Sequence, residues 1–576
     1  MNKFSKFLEQ YLLKPIKASF SRFPEIFVEL LILALILIYD NRNRIFEGDY
    51  QRIIQSIINP MFVLIIFHSA FILGVEKYNL KRLNRILGGV GIGLFATSYG
   101  LYYFLNFGDQ FNFFLTFSNS AIILGGIVAF VTVPYFYKRA NFTIYLPYLL
   151  TRLLLTIFYT GSLILGTIGI IGLADFLFRL SINSRIYTDI IILFSTLIGG
   201  PLFLGYLPSI DKKLTKSDFG IVWKVLIIRI IIPLSTIATL IIFAYASLGR
   251  LTGVYDGSIF LVSAFSSLSV VLVAIVLAES FETEINYVKW FRKYLPYPML
   301  LLVLNLGVEV ILEIVEKGIN VNNYFTGLFT DFFLAAYLLL LIKKLYQPIL
   351  IPLLLSGSLL FAGFTPFIGV KDWTFRSISN QLTTTLSELN MLNNNVITPR
   401  PDLPTAQKDK INSILGDLSS YHGFNNISYL PNDFDLSKTE SVFGFGFFYD
   451  NRDNTYLSVG TNLALGFDVS GYDKVYQFNT FKNEVTIIES YQLRISNNKL
   501  IVSQNNTVVA EADLNNKMAE LNQLNSSGKF EISPSEMTVN FSASKFKLII
   551  TFLGANVRSG PIFDLESITG LLLVDE

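Results

Sequence analysis

The sequence predicts a polytopic α-helical membrane bundle of about eleven transmembrane helices, followed by a soluble α+β domain. Three observations carry this. Mean hydropathy is +0.51, with 52% hydrophobic and 15% aromatic side chains, richer than a soluble domain needs. The excess lies before residue 365, in runs such as Leu30–Tyr39, Ile122–Val131 and Val270–Ala278. After Phe364 no run approaches the roughly 18–20 apolar residues that cross a bilayer, and from Ile427 onward the apolar period becomes that of strands. Four segments follow: 1–22, 23–364, 365–423 and 424–576.

Residues 1–22 place Phe4, Leu8, Leu12, Ile16 and Phe20 four apart, with Lys3, Lys6, Lys14 and Lys17 between them. That pattern predicts an amphipathic helix lying on the inner membrane surface. No small-residue cleavage site follows, so the next apolar run is a span and not a cleaved leader. Spans are predicted near 23–39, 57–75, 86–105, 113–133, 146–174, 187–207, 225–246, 258–278, 297–314, 325–342 and 347–364. Lipid forbids unpaired backbone groups, and these lengths select helices over barrel strands.

With the amino terminus inside, the segments on the inner side carry 20 Lys and Arg against 7 on the outer side. The bias predicts a cytoplasmic amino terminus, and an odd number of spans then puts the carboxy-terminal domain outside. Glycines at 88, 89, 91, 93, 125, 126, 166, 169 and 172 predict close helix packing; Gly88–Gly93 lacks the preceding strand and the Lys-Ser/Thr of a phosphate loop. Pro60, Pro134, Pro201 and Pro233 predict bends or helix ends.

Beyond the spans, Ile378, Leu382, Leu386 and Leu389 predict one amphipathic helix and Ile411, Ile414, Leu415 and Leu418 a second, joined by Asn393–Pro404. Strands are expected at Val485–Glu489, Tyr491–Ser496, Lys499–Ser503, Met537–Phe541, Lys545–Phe552 and Ile568–Val574, with an Asn497-Asn498 hairpin turn and a helix Asp513–Leu524. The run Phe443-Gly-Phe-Gly-Phe-Phe-Tyr449 reads as a glycine-spaced aromatic strand in the core, or as a binding edge.

The chain has no cysteine, which excludes thiol catalysis, disulfides and thiolate metal sites. Its two histidines, His68 and His422, lie far apart, and the net charge of +2 leaves no nucleic-acid footprint. No metal, no cofactor and no nucleic-acid partner are expected. The expected partners are the lipid bilayer and an envelope component or partner protein outside.

The segment Lys317-Gly-Ile-Asn-Val-Asn-Asn-Tyr-Phe325 resembles the "yGiTenRY" signature of the bacterial membrane proteins known as domain of unknown function 4153. Ile228–Ala246, with Pro233 and Ala244-Tyr245-Ala246, is similar to that family's "ilipL…lilyaY" helix. Leu177-Phe178, Tyr187 and Leu207-Pro208 in the fifth and sixth spans also fit. Ser379-Asn380-Gln381-Leu382 departs from the family's "vSxxSQLxRL" at Asn380 and Thr384, and Tyr421-His422-Gly423 resembles its "yL…HG". The likeness covers residues 20–430. It implies the same architecture and adds no mechanism.

Ionisable groups inside spans cost about 2.5–3.5 kcal/mol each on insertion scales and so become functional candidates. Glu309 and Glu313 share a helix face, and with Asp331 they predict an acidic cluster opening outward, whose raised proton affinity would suit coupled transport. Glu29 is expected to pair with Arg152 or Arg229 inside the bundle, the bland alternative being that the arginines snorkel to headgroups. His68 reads as a hydrogen-bonded packing residue and His422 as a helix-end cap. Asp40, Glu47 and Asp49 in the first outer loop would serve a glycosyltransferase using lipid-linked sugars as base or metal ligand. The leading expectation is a non-enzymatic cell-envelope protein that anchors or senses through its extracytoplasmic domain. A proton- or ion-coupled transporter is the alternative, then the glycosyltransferase.

Overall fold

The computed structural model describes residues 9–575 apart from 44–48, 108–111, 137–141, 210–213, 216–219, 254, 283–284, 343, 432, 448–455, 462–468, 483, 506, 527–532, 542–544 and 559–561. The chain divides into two compact units, Met1–Ser377 and Ile378–Glu576. Most of the predicted 365–423 connector therefore groups with the sheets.

Helices stand at all eleven predicted places: α1 Pro24–Arg42, α2 Asp49–Tyr78, α3 Arg82–Asn106, α4 Phe113–Thr132, α5 Phe142–Phe178, α6 Ser184–Gly205, α7 Trp223–Thr252, α8 Gly257–Ala278, α9 Pro296–Lys317, α10 Val321–Leu341 and α11 Leu350–Phe364. Among the described residues nine of these, α2 to α10, are long and apolar enough to cross a membrane. The protein is a multi-pass integral membrane protein. The other two run beside long spans. Before α1, Arg22 meets Glu76 of α2 and the carbonyls of Leu207 and Pro208 after α6. At the far end of α1, Asn41 and Arg42 meet Asp189 at the start of α6. The 15 residues of α11 rise only about 22 Å. They lie antiparallel to α4, where Ser118 donates to the Gly363 carbonyl at 3.1 Å and Gly125 faces Ser356 and Leu360.

Two prolines act through wide turns. Leu226–Ile231 and Ser195–Gly199 are π-turns, each closed by a helix with Pro233 or Pro201 in its first positions. A proline ring clashes with the carbonyl four residues back and offers no N–H, and a π-turn absorbs both faults. The turn in α7 leaves the Ile228 carbonyl to accept from the Tyr287 hydroxyl at 2.6 Å. Pro60 stays inside α2, and Pro134 sits in the 3₁₀ turn that ends α4.

Two expectations change. The amino-terminal helix Lys14–Arg22 buries Pro15 and Ser19, with Pro15 tight against Gly205, where an added Cβ would come 1.9 Å from the Pro15 carbonyl oxygen. Leu13 and Phe20 stay exposed, so the close-packing face is the small one. Phe4 and Leu8 lie outside the described residues. Of the predicted packing glycines, Gly88 meets Phe71, Gly125 meets α11 and Gly126 meets Ile66 and Phe67, while Gly89, Gly91, Gly93, Gly166 and Gly169 face open space.

In the second unit, Val370–Glu388 (α12, whose first two turns belong to the membrane unit) and Thr405–Tyr421 (α13) bury the predicted Ile378, Leu382, Leu386, Ile411, Ile414, Leu415 and Leu418. Strands are β1 Tyr456–Gly460, β2 Lys474–Phe481, β3 Val485–Ile488, β4 Tyr491–Ser496, β5 Lys499–Gln504, β6 Thr507–Asp513, β7 Thr538–Asn540, β8 Phe546–Arg558 and β9 Ile562–Val574. One antiparallel sheet has the order β1-β8-β9-β2, with β7 beside β8; a second is the meander β3-β4-β5-β6, and between α12 and α13 Leu392–Asn393 pairs with Val396–Ile397 in a two-stranded ribbon. Leu493, Leu500, Val502, Leu548, Ile550, Leu565 and Leu572 from both sheets share one core with Met518 and Leu521 of the helix Asn515–Ser526. Asn497 and Asn498 both take positive φ and close the β4–β5 hairpin, as this dipeptide suits. The Asn498 side chain also donates to the Phe563 carbonyl and accepts from Leu565 N–H, tying the meander to β9.

The aromatic run is not a strand. Thr439–Phe443 is a helical turn stopped by Gly444 at φ +86°, a left-handed cap that suits glycine. Phe443 and Phe445 are buried beside Phe434, in line with the core expectation; Phe448 and Tyr449 lie outside the described residues. Strands β1, β2 and β6 had no counterpart in the periodicity.

Candidate functional site

The predicted acids do not form an open cluster. Glu309 is held by Arg250 at 2.5 Å and by the Tyr255 hydroxyl at 2.8 Å, both from the α7–α8 end of the bundle. Arg250 also reaches Asn305 one turn away. Glu313 pairs with Lys317, four residues on, at 3.6 Å. Asp331 is exposed on α10, and among the described residues it has no hydrogen-bond or ion-pair partner. The contacts Gly307–Thr330 and Val310–Gly327 fix the antiparallel register of α9 and α10. That register sets Asp331 level with Leu306, about 10 Å along the axis from Glu313.

Glu29 pairs with His68 and not with an arginine: its Oε1 lies 2.6 Å from His68 Nδ1, and both side chains are largely buried. The register explains the correction. Arg22 opposite Glu76 aligns α1 and α2 antiparallel, and seven residues further along α1 the partner position on α2 is His68. Arg152 instead stacks on Tyr148 and Tyr206, its guanidinium carbon 4.9 and 5.3 Å from the ring centres. Arg229 is exposed within the α7 π-turn. Glu29 Oε2 and Arg152 Nε are buried with no hydrogen-bond partner. A buried polar atom without a partner is costly, and Glu29 carries one beside His68.

Three ion-pair groups escaped sequence reasoning. Arg22 grips Glu76 with Nε at 3.0 Å and Nη2 at 2.8 Å, the bidentate geometry that arginine favours. Buried Asp189 accepts from Asn41 at 2.9 Å and from Arg42 at 3.0 Å. Arg292, after α8, binds Glu279 and Glu282 and donates to the Ile275 carbonyl; Tyr346 completes the group on Glu279 at 2.7 Å. All sit at helix ends, where charges are cheapest. The only sequence signal was a charged residue flanking an apolar run, and it names no partner.

The turn between α9 and α10 is tightly built. Gly318 has φ +70°. Asn320 and Asn323 form a reciprocal capping box, and Asn323 also donates to the Gly318 carbonyl. The turn binds the root of α12: Ile319 N–H donates to Ser377 Oγ at 2.8 Å, Tyr324 donates to the Ile368 carbonyl at 3.0 Å, and Trp373 packs edge-on to Tyr324. Asp372 caps the bend by accepting from Phe367 N–H.

Asp40 accepts weakly from Tyr50 at 3.4 Å, Asp49 opens α2, and Glu47 lies outside the described residues. Among the described residues no three His, Asp or Glu side chains gather as a metal site requires. In the second unit, His422 ends α13, and its N–H and that of Gly423, at φ +68°, both return to the Leu418 carbonyl. Lys482 bridges Asp564 and Glu566 at 2.6 and 3.2 Å, and these acids hold its ammonium above the usual lysine range. No family model, curated protein or solved structure matches this chain.

Proposed function

We propose that this membrane protein anchors an extracytoplasmic α+β domain at the cell envelope and senses an envelope component or partner protein through it, its amino terminus being cytoplasmic. The supporting observation is the root of α12. Its first two turns are fixed to the α9–α10 turn by Ser377, Tyr324 and Trp373, and the same unbroken helix supplies Ile378, Leu382 and Leu386 to the core side of the other unit. The start of α12 is thus held by hydrogen bonds within the membrane unit before the chain passes into the second unit. The Lys and Arg bias supports the orientation. Membership of the domain of unknown function 4153 family is part of the proposal, because the residues resembling its signature, Gly318 to Tyr324, build that anchor turn.

A second reading, proton-coupled transport, has one observation in its favour: the donor-less buried oxygen of Glu29 beside His68. It would rest on Glu29 in place of Glu309 and Glu313, which are already neutralised by Arg250 and Lys317.

The chain has no native cysteine, so Ser437→Cys and Glu484→Cys are unique labels on exposed positions. Labelling by an impermeant maleimide in intact cells is expected, and labelling only after lysis would overturn the orientation and the envelope partner. Glu29→Gln then separates the readings, since it should abolish any proton-coupled uptake and leave an anchored sensor working.

A further inference from the structure

A cavity of about 570 Å³ lies in the bundle among α4, α5, α8, α10 and α11. Its volume falls within the roughly 300–1,000 Å³ of ligand sites. The wall is hydrocarbon: Phe265, Leu272 and Val276 of α8 face Phe329 and Phe332 of α10, with Leu355 of α11. The lone hydroxyl, Ser269, is already spent on the Phe265 carbonyl at 2.8 Å, so the cavity presents no unsatisfied polar group. Two of its lining residues, Ile127 of α4 and Val273 of α8, are 45% and 55% exposed. They belong at once to the cavity and to the apolar outer surface of spans that must face lipid. The cavity is thus a side groove continuous with the bilayer.

We propose that this groove is a binding site for one hydrocarbon chain of a membrane lipid, entering sideways past Ile127 and Val273. Water has no partner inside it, an empty apolar void forfeits dispersion contact along its whole wall, and the medium at its mouth is hydrocarbon. The occupant therefore has the chemistry of an acyl or isoprenoid tail. The groove runs from mid-span, at Phe265 and Phe329, to the end where Leu277 precedes the Arg292–Glu279–Tyr346 group by two residues and Ile351 follows Tyr346 by five. A tail seated there carries its headgroup to that polar end.

The test uses the full chain with Trp223, Trp290 and Trp373 replaced by Phe and a single reporter tryptophan introduced, in vesicles of phosphatidylcholine with or without bromine at mid-chain. Phe332 is 6% exposed, so F332W is shielded from bulk lipid and is quenched only by a chain inside the groove. Quenching of about twofold or more is expected, falling towards none when Ser269→Phe fills the site. V273W, on the open face, should be quenched in every case and certifies insertion. Quenching of V273W with none of F332W overturns the proposal. Native mass spectrometry of the unaltered chain gives an independent answer: one retained lipid per chain supports the site, and a bare chain overturns it. Retention of an isoprenoid lipid instead of a phospholipid would name the tail.

Discussion

The two units bury apolar side chains by opposite rules. In the sheets, burial alternates: β4 reads Tyr491, Leu493 and Ile495 inward with Gln492, Arg494 and Ser496 between them. In the bundle the outside is as apolar as the inside, with Leu165 72% and Phe176 82% exposed on α5. In water the solvent decides which face is buried, so polarity writes the face into the sequence. In lipid it does not, and the inner face is chosen by small residues and polar partners. Hydrophobicity therefore identifies the helices of the bundle without orienting them.

The sharpest test of that contrast is a matched truncation. Leu572 is fully buried between the sheets, and Leu572→Ala should destabilise the soluble unit by about 2–5 kcal/mol. Leu165→Ala should change stability by less than about 0.5 kcal/mol. Limited proteolysis of the full chain in detergent against denaturant reads both. Equal losses would break the comparison and show that α5 is covered.

Polar partners come next. Arg22→Ala leaves Glu76 without its bidentate partner where both side chains are only about a fifth exposed. The expected loss is about 2–4 kcal/mol, seen as a lower Tm, and Arg22→Lys should recover only part of it, because an ammonium cannot match the fork. Full rescue by lysine would mean that charge alone holds the end of α1.

A smaller effect isolates the tie between the sheets. Glycine at 498 keeps the left-handed turn but loses the bonds to Phe563, Leu565 and Asn515. Asn498→Gly should cost about 2 kcal/mol and Asn497→Gly almost nothing, measured by chemical denaturation.

These cases show what the sequence could carry. Element positions were legible wherever the period was strong: all eleven helices, the Asn-Asn hairpin, and the buried faces of α12 and α13. The strands β1, β2 and β6 were not: in β2 the exposed Val475 and Phe481 and the buried Thr480 invert the alternation, and pairing with β8, β9 and β5 is what makes these segments strands. Among the candidate residues, Glu29 was legible as an intramembrane acid, yet its partner was not. His68 is set opposite it by helix register, and register is a tertiary property. Glu309 failed as a cluster member for the same reason, its cation arriving from Arg250 on α7, while Glu313 pairs locally with Lys317 one turn on.

The smallest predicted effect tests whether surface charge matters to the soluble unit as helix-end charge does to the bundle. Glu489 accepts from the Tyr476 hydroxyl at 2.7 Å and lies 3.7 Å from Lys474. The hydrogen bond first, and the lysine after it, hold the carboxyl below its ordinary value of 4.5. A carboxyl depressed on folding adds stability that is present above 4.5 and is lost as pH falls through the lower folded value. Asp402 beside Arg400, Asp433 beside Lys438 and Asp435 bonded by Ser437 are depressed likewise, so acidification below about pH 4.5 should lower the Tm of this unit by small cumulative steps. Tyr476→Phe removes the leading cause at Glu489 and should flatten that part of the acid loss, with the remainder fading in high salt because all four sites face water. Parallel acid losses in the two chains would show that the tyrosine bond adds nothing. Pairing in water would then be ornamental in this protein, and pairing at the membrane ends structural.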